Sequence, residues 1–176
     1  MITIKYSGKS STIQKAVLQA NRLLRSREFY ERISLHPFFD RANIQPYIIS
    51  NLLKTTSIKM NIKFYYSQPP GKANSFDDII NPRNIQLNVW TMERPVASLC
   101  NTMLHACVHA VNAEFPTYQF GHNCIEEKDA ANTAPYWIGN LAQKMVLGDE
   151  TTDEISLHEE NIEMFKIFEC MVLPVS

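Results

Sequence analysis

The stretch Leu104-His105-Ala106-Cys107-Val108-His109, followed downstream by Gly121-His122, decides how the chain is read. On a helix, side chains four positions apart lie one above the other, so the imidazoles of His105 and His109 can reach one metal ion. The helix that carries them starts near Arg94-Pro95, with proline in its first turn, and runs to about Glu114, where Phe115-Pro116 ends it. Along it Val96, Leu99, Cys100, Met103 and Cys107 fall on one side, with His105 and His109 on nearly the opposite one. Histidines that merely fill a core would sit inside the apolar stripe. These two face away from it, where ligands lining a cleft belong.

Immediately upstream, Ile85, Leu87 and Val89 alternate with Gln86, Asn88 and Trp90, the period of a strand that feeds into this helix. Ile58, Met60, Ile62, Phe64 and Tyr66 alternate with Lys59, Asn61, Lys63 and Tyr65 in the clearest strand pattern of the chain, ended by Pro69-Pro70-Gly71. Between the two strands, the polar, turn-rich stretch 71–83 reads as a surface loop overhanging a cleft. Toward the N-terminus, residues 2–6 alternate as a short strand. Ser10 or Ser11 can cap a helix to about Arg25 that turns Ile13, Val17, Ala20 and Leu24 inward. A helix from Glu28 to Leu35 stops at His36-Pro37, and another, Ile44 to Thr55, places Pro46 in its first turn and Tyr47, Ile48, Leu52 and Leu53 in its buried set.

Downstream, 124–132 is polar and acidic. Pro135 can start a helix from Tyr136 to Leu147 that Gly148 ends, and a last helical segment spans about His158 to Cys170. The mixture predicts a single α+β domain over residues 1–176, a small twisted β-sheet with helices packed on it. With 176 residues and 45% apolar composition, the chain has material for one core and not comfortably for two.

Seventeen basic against eighteen acidic residues give a formal net charge of -1, which argues against nucleic acid or an anionic membrane and for a protein or peptide partner. The N-terminus has no basic region followed by a long apolar run, and no segment approaches the ~20 apolar residues of a membrane span. The expectation is a cytoplasmic protein, or one exported by a dedicated machine. Cys100, Cys107, Cys124 and Cys170 form no C-x-x-C pair and read as reduced thiols.

Zinc favours tetrahedral coordination, and catalytic sites use three protein ligands so that water takes the fourth position. His105 and His109 supply two. The third is His122, Cys124, Glu126, Glu127 or Asp129, with His122 preferred because Gly121-His122 follows a loop short enough to fold back over the helix. A set closed by Cys124 would instead make a structural site with no place for water.

The strand over 85–90, the helix with His105-Ala106-Cys107-Val108-His109 and the downstream Gly121-His122 resemble the zincin metallopeptidases, whose core motif is H-E-x-x-H. His109-Ala110 and the Gly-His third ligand are similar to the SprT-like branch. The resemblance covers about residues 85–122. It implies a zincin-like fold with its active-site helix at about 95–114, zinc held by His105, His109 and His122, hydrolysis of protein or peptide amide bonds, and a substrate cleft bordered by residues 88–92. The SprT-like role on DNA-bound proteins is disfavoured by the near-neutral charge.

The departure is Ala106, where the family places the glutamate that acts as general base toward the zinc-bound water. Alanine moves no proton, so the chain as written should bind zinc and be almost inactive. The presence of all three ligands favours an inactivating replacement in an active peptidase over a natural pseudoenzyme. Glu114, Glu126 or Glu127 could supply the base instead. Tyr118 and Tyr136 are candidate donors to a developing oxyanion, and Asn132 or Glu127 could orient an imidazole from behind. Cys107 reads as a buried structural thiol, and His36 and His158 as boundary or surface histidines. A compact hydrolytic module of this kind also suits a toxin or effector protease that meets an inhibitor or immunity partner.

Overall fold

The computed structural model describes residues 1–66, 75–77, 81–122 and 130–148, with 75–77 described by its backbone. The chain order is β1 (Thr3–Lys5), α1 (Ser11–Leu23), α2 (Arg27–Leu35), α3 (Pro46–Thr55), β2 (Lys59–Tyr65), β3 (Ser75–Asp77), β4 (Asn84–Asn88), α4 (Val96–Glu114) and α5 (Ala134–Leu147). Single 3₁₀ turns precede α4 at Val89–Thr91 and α5 at Ala130–Asn132. The fold is α+β, as the sequence predicts.

The strands form one sheet in the order β1-β2-β4-β3. β1 and β2 run parallel, as do β2 and β4, while β3 lies antiparallel on the far side of β4. Parallel neighbours require a long crossover, and α1, α2 and α3 provide it between β1 and β2. The connection from β2 to β4 carries β3, so the stretch expected to be loop throughout contains a short edge strand. The rest of its middle, 71–74 and 78–80, lies outside the described residues, as do Cys124, Glu126, Glu127, Asp129, His158 and the segment 158–170.

The strand alternation sorts the two faces of the sheet. Ile4, Met60, Ile62, Ile85 and Leu87 are buried in one core with Ile13, Ala16 and Ala20 of α1 and Leu99, Cys100, Met103 and Cys107 of α4. Lys5, Lys59, Asn61 and Lys63 point the other way and are exposed. Asn21 of α1 reaches the outer edge of β1, where its side chain accepts from Ile4 N–H (2.9 Å) and donates to Ile4 C=O (2.9 Å). That satisfies backbone groups which a bare edge strand would leave open.

Local signals set the helix ends. Ser10 caps α1 by accepting from Ile13 N–H (3.4 Å), and Ser26 caps α2 by accepting from Phe29 N–H (3.3 Å). His36 adopts ψ 138° before Pro37 and so ends α2, and Gly148 ends α5 at φ 73°. In α3 the buried set is Pro46, Ile49, Ser50 and Leu53, and Tyr47 is 61% exposed. Of the expected inward set, Leu53 is buried and Leu52 packs against the core, but Tyr47 points outward and Ile49 and Ser50 are buried in addition. The reason is α2, against which α3 packs, where Ser50 Oγ donates to the Tyr30 carbonyl (2.8 Å) and is buried with its bond made.

The central helix α4 departs further from expectation. It is buried nearly all round, because the sheet and α1 cover one side and α5 covers much of the other. His105 does face away from the Leu99-Cys100-Met103 stripe, yet it is only 1% exposed. The α4–α5 approach is close at Gly139, where a Cβ would stand 2.4 Å from Asn101 Oδ1. Asn101 Nδ2 in turn donates to Asn140 Oδ1 and Gln143 Oε1, both at 2.9 Å. No helix among the described residues is long and apolar enough to cross a membrane.

Candidate metal centre

His105 and His109 project from successive turns of α4, and the chain must reverse to bring a third imidazole to them. Asn112, one turn beyond His109, organises that reversal. Its Nδ2 donates to the Tyr118 carbonyl (2.8 Å), and its Oδ1 accepts from Phe120 N–H (2.9 Å) and from Gly121 N–H. Gly121 fits because it has no Cβ, which would lie 3.1 Å from Asn112 Oδ1 and 3.4 Å from His109 Nδ1. A second brace comes from the loop after α2, where Asn43 N–H donates to the Gln119 carbonyl and Gln119 N–H donates to Asn43 Oδ1, both at 2.8 Å. Neither Asn112 nor Gly121's packing role is apparent from motif spacing alone.

The result is a triangle of Nε2 atoms: His105 to His109 3.1 Å, His109 to His122 3.1 Å, and His122 to His105 3.2 Å. These contacts cannot all be hydrogen bonds. Each Nε2 carries either one proton or one lone pair, directed in its ring plane, so three atoms cannot each bond to both others. A cation satisfies all three lone pairs at once. Metal–nitrogen bonds of about 2.0–2.1 Å in tetrahedral geometry put neighbouring ligand atoms roughly 3.3 Å apart, and the observed edges match that spacing. The three histidines can hold a metal ion.

The electrostatics agree. Burial, then the neighbouring His109 and His122, hold the His105 imidazole well below its ordinary range of about 6.5. A neutral ring at neutral pH keeps a lone pair for a metal. His109 and His122 are half-buried.

Tyr136, from the first turn of α5, packs on two of the three imidazoles. Its ring stacks on His122 (centroids 4.7 Å apart, planes 25° apart) and meets His105 edge-on (4.7 Å, 82°). At 8% exposed it closes one side of the cluster. A depression of about 590 Å³ is lined by His109, His122, Gly121, Asn112, Gln119 and Arg41, with His105 not part of its lining. Ala106 is half-buried one residue after His105, in a part of α4 where the less buried positions are Ala106, His109, Asn112 and Ala113. These recur at helical spacing, so the alanine shares the wetter side of α4 with His109.

Other sequence candidates fall elsewhere. The Tyr118 ring lies against Phe115 (6.3 Å) and is 36% exposed; what Tyr118 gives the site is its carbonyl, held by Asn112. Asn132 does not orient a metal-facing imidazole. Its Oδ1 bonds to His36 Nε2 (2.8 Å), while its Nδ2 donates to Asp40 Oδ1 (3.1 Å) and the Phe38 carbonyl (3.3 Å). His36 is thus more than a boundary residue, since its ring also lies 4.2 Å from Trp137 and 4.6 Å from Phe39. Glu114 is paired with Arg83 (2.8 Å), which ties up the carboxylate considered as a substitute base. Cys107 is buried, and burial pushes its thiol up to about 12, the behaviour of a structural cysteine. Cys124, Glu126, Glu127 and Asp129 lie outside the described residues.

No protein-family model, curated protein or solved structure matches the chain.

Proposed function

We propose that the chain is a zinc metallopeptidase domain of the zincin type whose general base is missing at Ala106. The observation that carries the reading is the Nε2 triangle, with edges of 3.1–3.2 Å and a depression beside it. Three imidazole nitrogens suit zinc, and three protein ligands would leave a coordination position for chemistry. Bound there, zinc supplies an activated water with a pKa near ~7 and a Lewis acid for a carbonyl oxygen.

The rest belongs to the chain's own residues. His105, His109 and His122 would hold the ion through Nε2. Asn112 and Gly121 set the loop that delivers His122, and Tyr136 fixes the planes of two rings. The Tyr136 phenol is our candidate donor to negative charge developing on a substrate carbonyl. In this reading residue 106 is the position at which a glutamate would take a proton from the attacking water and hand it to the leaving amine. The alanine methyl does neither, which removes on the order of 10²- to 10⁴-fold of rate. The substrate is a protein or peptide. An effector role with an inhibitor or immunity partner, in the cytoplasm or after export, is compatible with such a module.

Restoring the base tests the proposal. Ala106→Glu should bind one zinc and cleave peptides from a broad library, with cleavage abolished by a chelator and recovered on adding zinc. If that variant binds one zinc, stays folded and cleaves nothing, the peptidase reading is overturned and a metal-binding domain remains. Zinc binding that survives His122→Ala would remove His122 from the ligand set.

A further inference from the structure

Two parts of the metal centre come from outside α4. The loop 117–122 delivers His122, and the first turn of α5 delivers Tyr136. Both are bonded to one segment, residues 36–43 between α2 and α3. On the His122 side, Asn43 and Gln119 exchange two bonds of 2.8 Å. On the Tyr136 side the contact is denser and centres on Asn132, in the 3₁₀ turn before α5. Its carbonyl accepts from Asp40 N–H (3.1 Å), its Nδ2 donates to Asp40 Oδ1 (3.1 Å) and the Phe38 carbonyl (3.3 Å), and its Oδ1 meets His36 Nε2 at 2.8 Å.

This network fixes the roles of donor and acceptor. Turning the Asn132 amide over would set its oxygen against the Asp40 carboxylate and the Phe38 carbonyl, so Oδ1 faces His36 and His36 Nε2 carries the proton. The half-buried His36 ring also packs on Trp137 (centroids 4.2 Å apart, planes 36° apart) and on Phe39 (4.6 Å, 31°). One side chain therefore grips residue 132 through a hydrogen bond and residue 137 through its ring, and Tyr136 lies between those two holds. The stretch is tied together internally as well. Trp137 N–H donates to the carbonyl of Thr133 (2.9 Å), which is buried with its hydroxyl on the Ala130 carbonyl (2.7 Å).

We propose that His36 is a positioning residue for the metal centre: through Asn132 and Trp137 it fixes the start of α5, and with it the Tyr136 ring against His122 and His105. The inference rests on the reading above that three histidines hold zinc, and it adds a control that reaches the site from the loop after α2. Histidine suits the task because glutamine could donate without stacking, and phenylalanine could stack without donating.

Two measurements on the full chain test it. Competition with a chromophoric chelator gives zinc affinity, and the visible spectrum of the cobalt-loaded chain reads ligand geometry. His36→Ala removes both the bond and the ring contact. It should weaken zinc binding about tenfold or more, within the 10–100-fold typical of groups that orient ligands, and should shift the cobalt spectrum. His36→Gln can return an N–H to Asn132 and should recover part of the loss. Tyr136→Leu should weaken zinc binding too, and adding His36→Ala to it should weaken binding no further, since the second residue acts through the first. Ser50→Ala deletes a buried bond between α3 and α2 and should lower stability while leaving affinity and spectrum as in the parent.

A folded His36→Ala protein with parental affinity and spectrum overturns the proposal. So do losses that add in full in the double variant, which would mean that His36 does not act through Tyr136. If Ser50→Ala loosens zinc as much as His36→Ala does, the effect is general destabilisation and the assignment fails. Should His36→Ala not fold, Asn132→Ala carries the same comparison with the histidine ring in place. A parent that takes up no zinc sinks the zinc reading and this inference with it, whereas zinc uptake indifferent to His36 sinks the assignment of His36 alone.

Discussion

Each imidazole in the cluster offers one lone pair, so removing any ring leaves a two-nitrogen chelate and an open flank. His105→Ala, His109→Ala and His122→Ala should each weaken zinc binding by more than about a hundredfold, beyond the 10–100-fold typical of groups that only orient ligands. Asn112 belongs to that second kind. Asn112→Ala deletes three bonds to the 118–121 backbone and should weaken zinc binding by about 10–100-fold without unfolding the chain. Asn112→Asp keeps the two acceptor bonds and should lose less. Competition with a chromophoric chelator measures all of these, and an Asn112→Ala protein with parental affinity would show that His122 is positioned by other contacts. The approach of His105 and His109 was legible in the sequence because the i, i+4 spacing is a property of any helix. Asn112 was not, because an asparagine on a helix does not announce that a loop will fold back and place two N–H groups on its side-chain oxygen.

The same contrast runs through the elements. Caps and breakers act within a few residues, so Ser10, the His36-Pro37 break, Pro46 and Gly148 placed helix ends correctly from sequence. β3 was missed because its three residues gain their strand character from pairing with β4, a non-local fact. The outward turn of Tyr47 was missed for a similar reason, since α2 chooses which face of α3 is buried. Tyr47→Ala should therefore change stability by no more than about 0.5 kcal/mol, whereas Ile49→Ala, at a fully buried position, should cost about 2–5 kcal/mol in urea unfolding. The α4–α5 contact offers a sharper test. Gly139→Ala drives a methyl into Asn101, whose backbone carbonyl lies 3.1 Å from the new Cβ and cannot swing away. A loss of roughly 1–3 kcal/mol is expected. Tyr136 lies one turn earlier on α5, so zinc affinity should fall with it. A Gly139→Ala protein that is destabilised but binds zinc as tightly as the parent would separate α5 packing from the metal centre.

For the whole molecule, the buried histidine cluster couples the core to pH. His105 is buried, and its imidazole titrates well below the ordinary value of about 6.5 that it has when unfolded. As pH falls through about 6.5, the unfolded chain takes up a proton that the folded chain refuses, so the unfolded state binds more protons and stability falls. The slope from this one group is at most about 1.4 kcal/mol per pH unit, and it persists down to the depressed folded pKa. Above about 6.5 both states are neutral at His105 and its contribution is flat. Zinc held as proposed would bind the folded arrangement alone and would add about 2.7 kcal/mol at a hundredfold excess over its dissociation constant, or some 2–4 °C of melting temperature per kcal/mol for a chain of this size. Protons compete for the same lone pairs, so the zinc increment should shrink as pH falls toward about 5. Melts of chelator-treated and zinc-loaded protein between about pH 8 and pH 5 read both effects together. The metal-free protein should hold steady to about 6.5 and then lose stability, and the zinc-loaded protein should melt higher at neutral pH and converge on it in acid. A zinc increment that does not change with pH would mean that the ion is not held by imidazole lone pairs, and a zinc-loaded chain melting with the metal-free one at neutral pH would mean that the three histidines converge for some other reason.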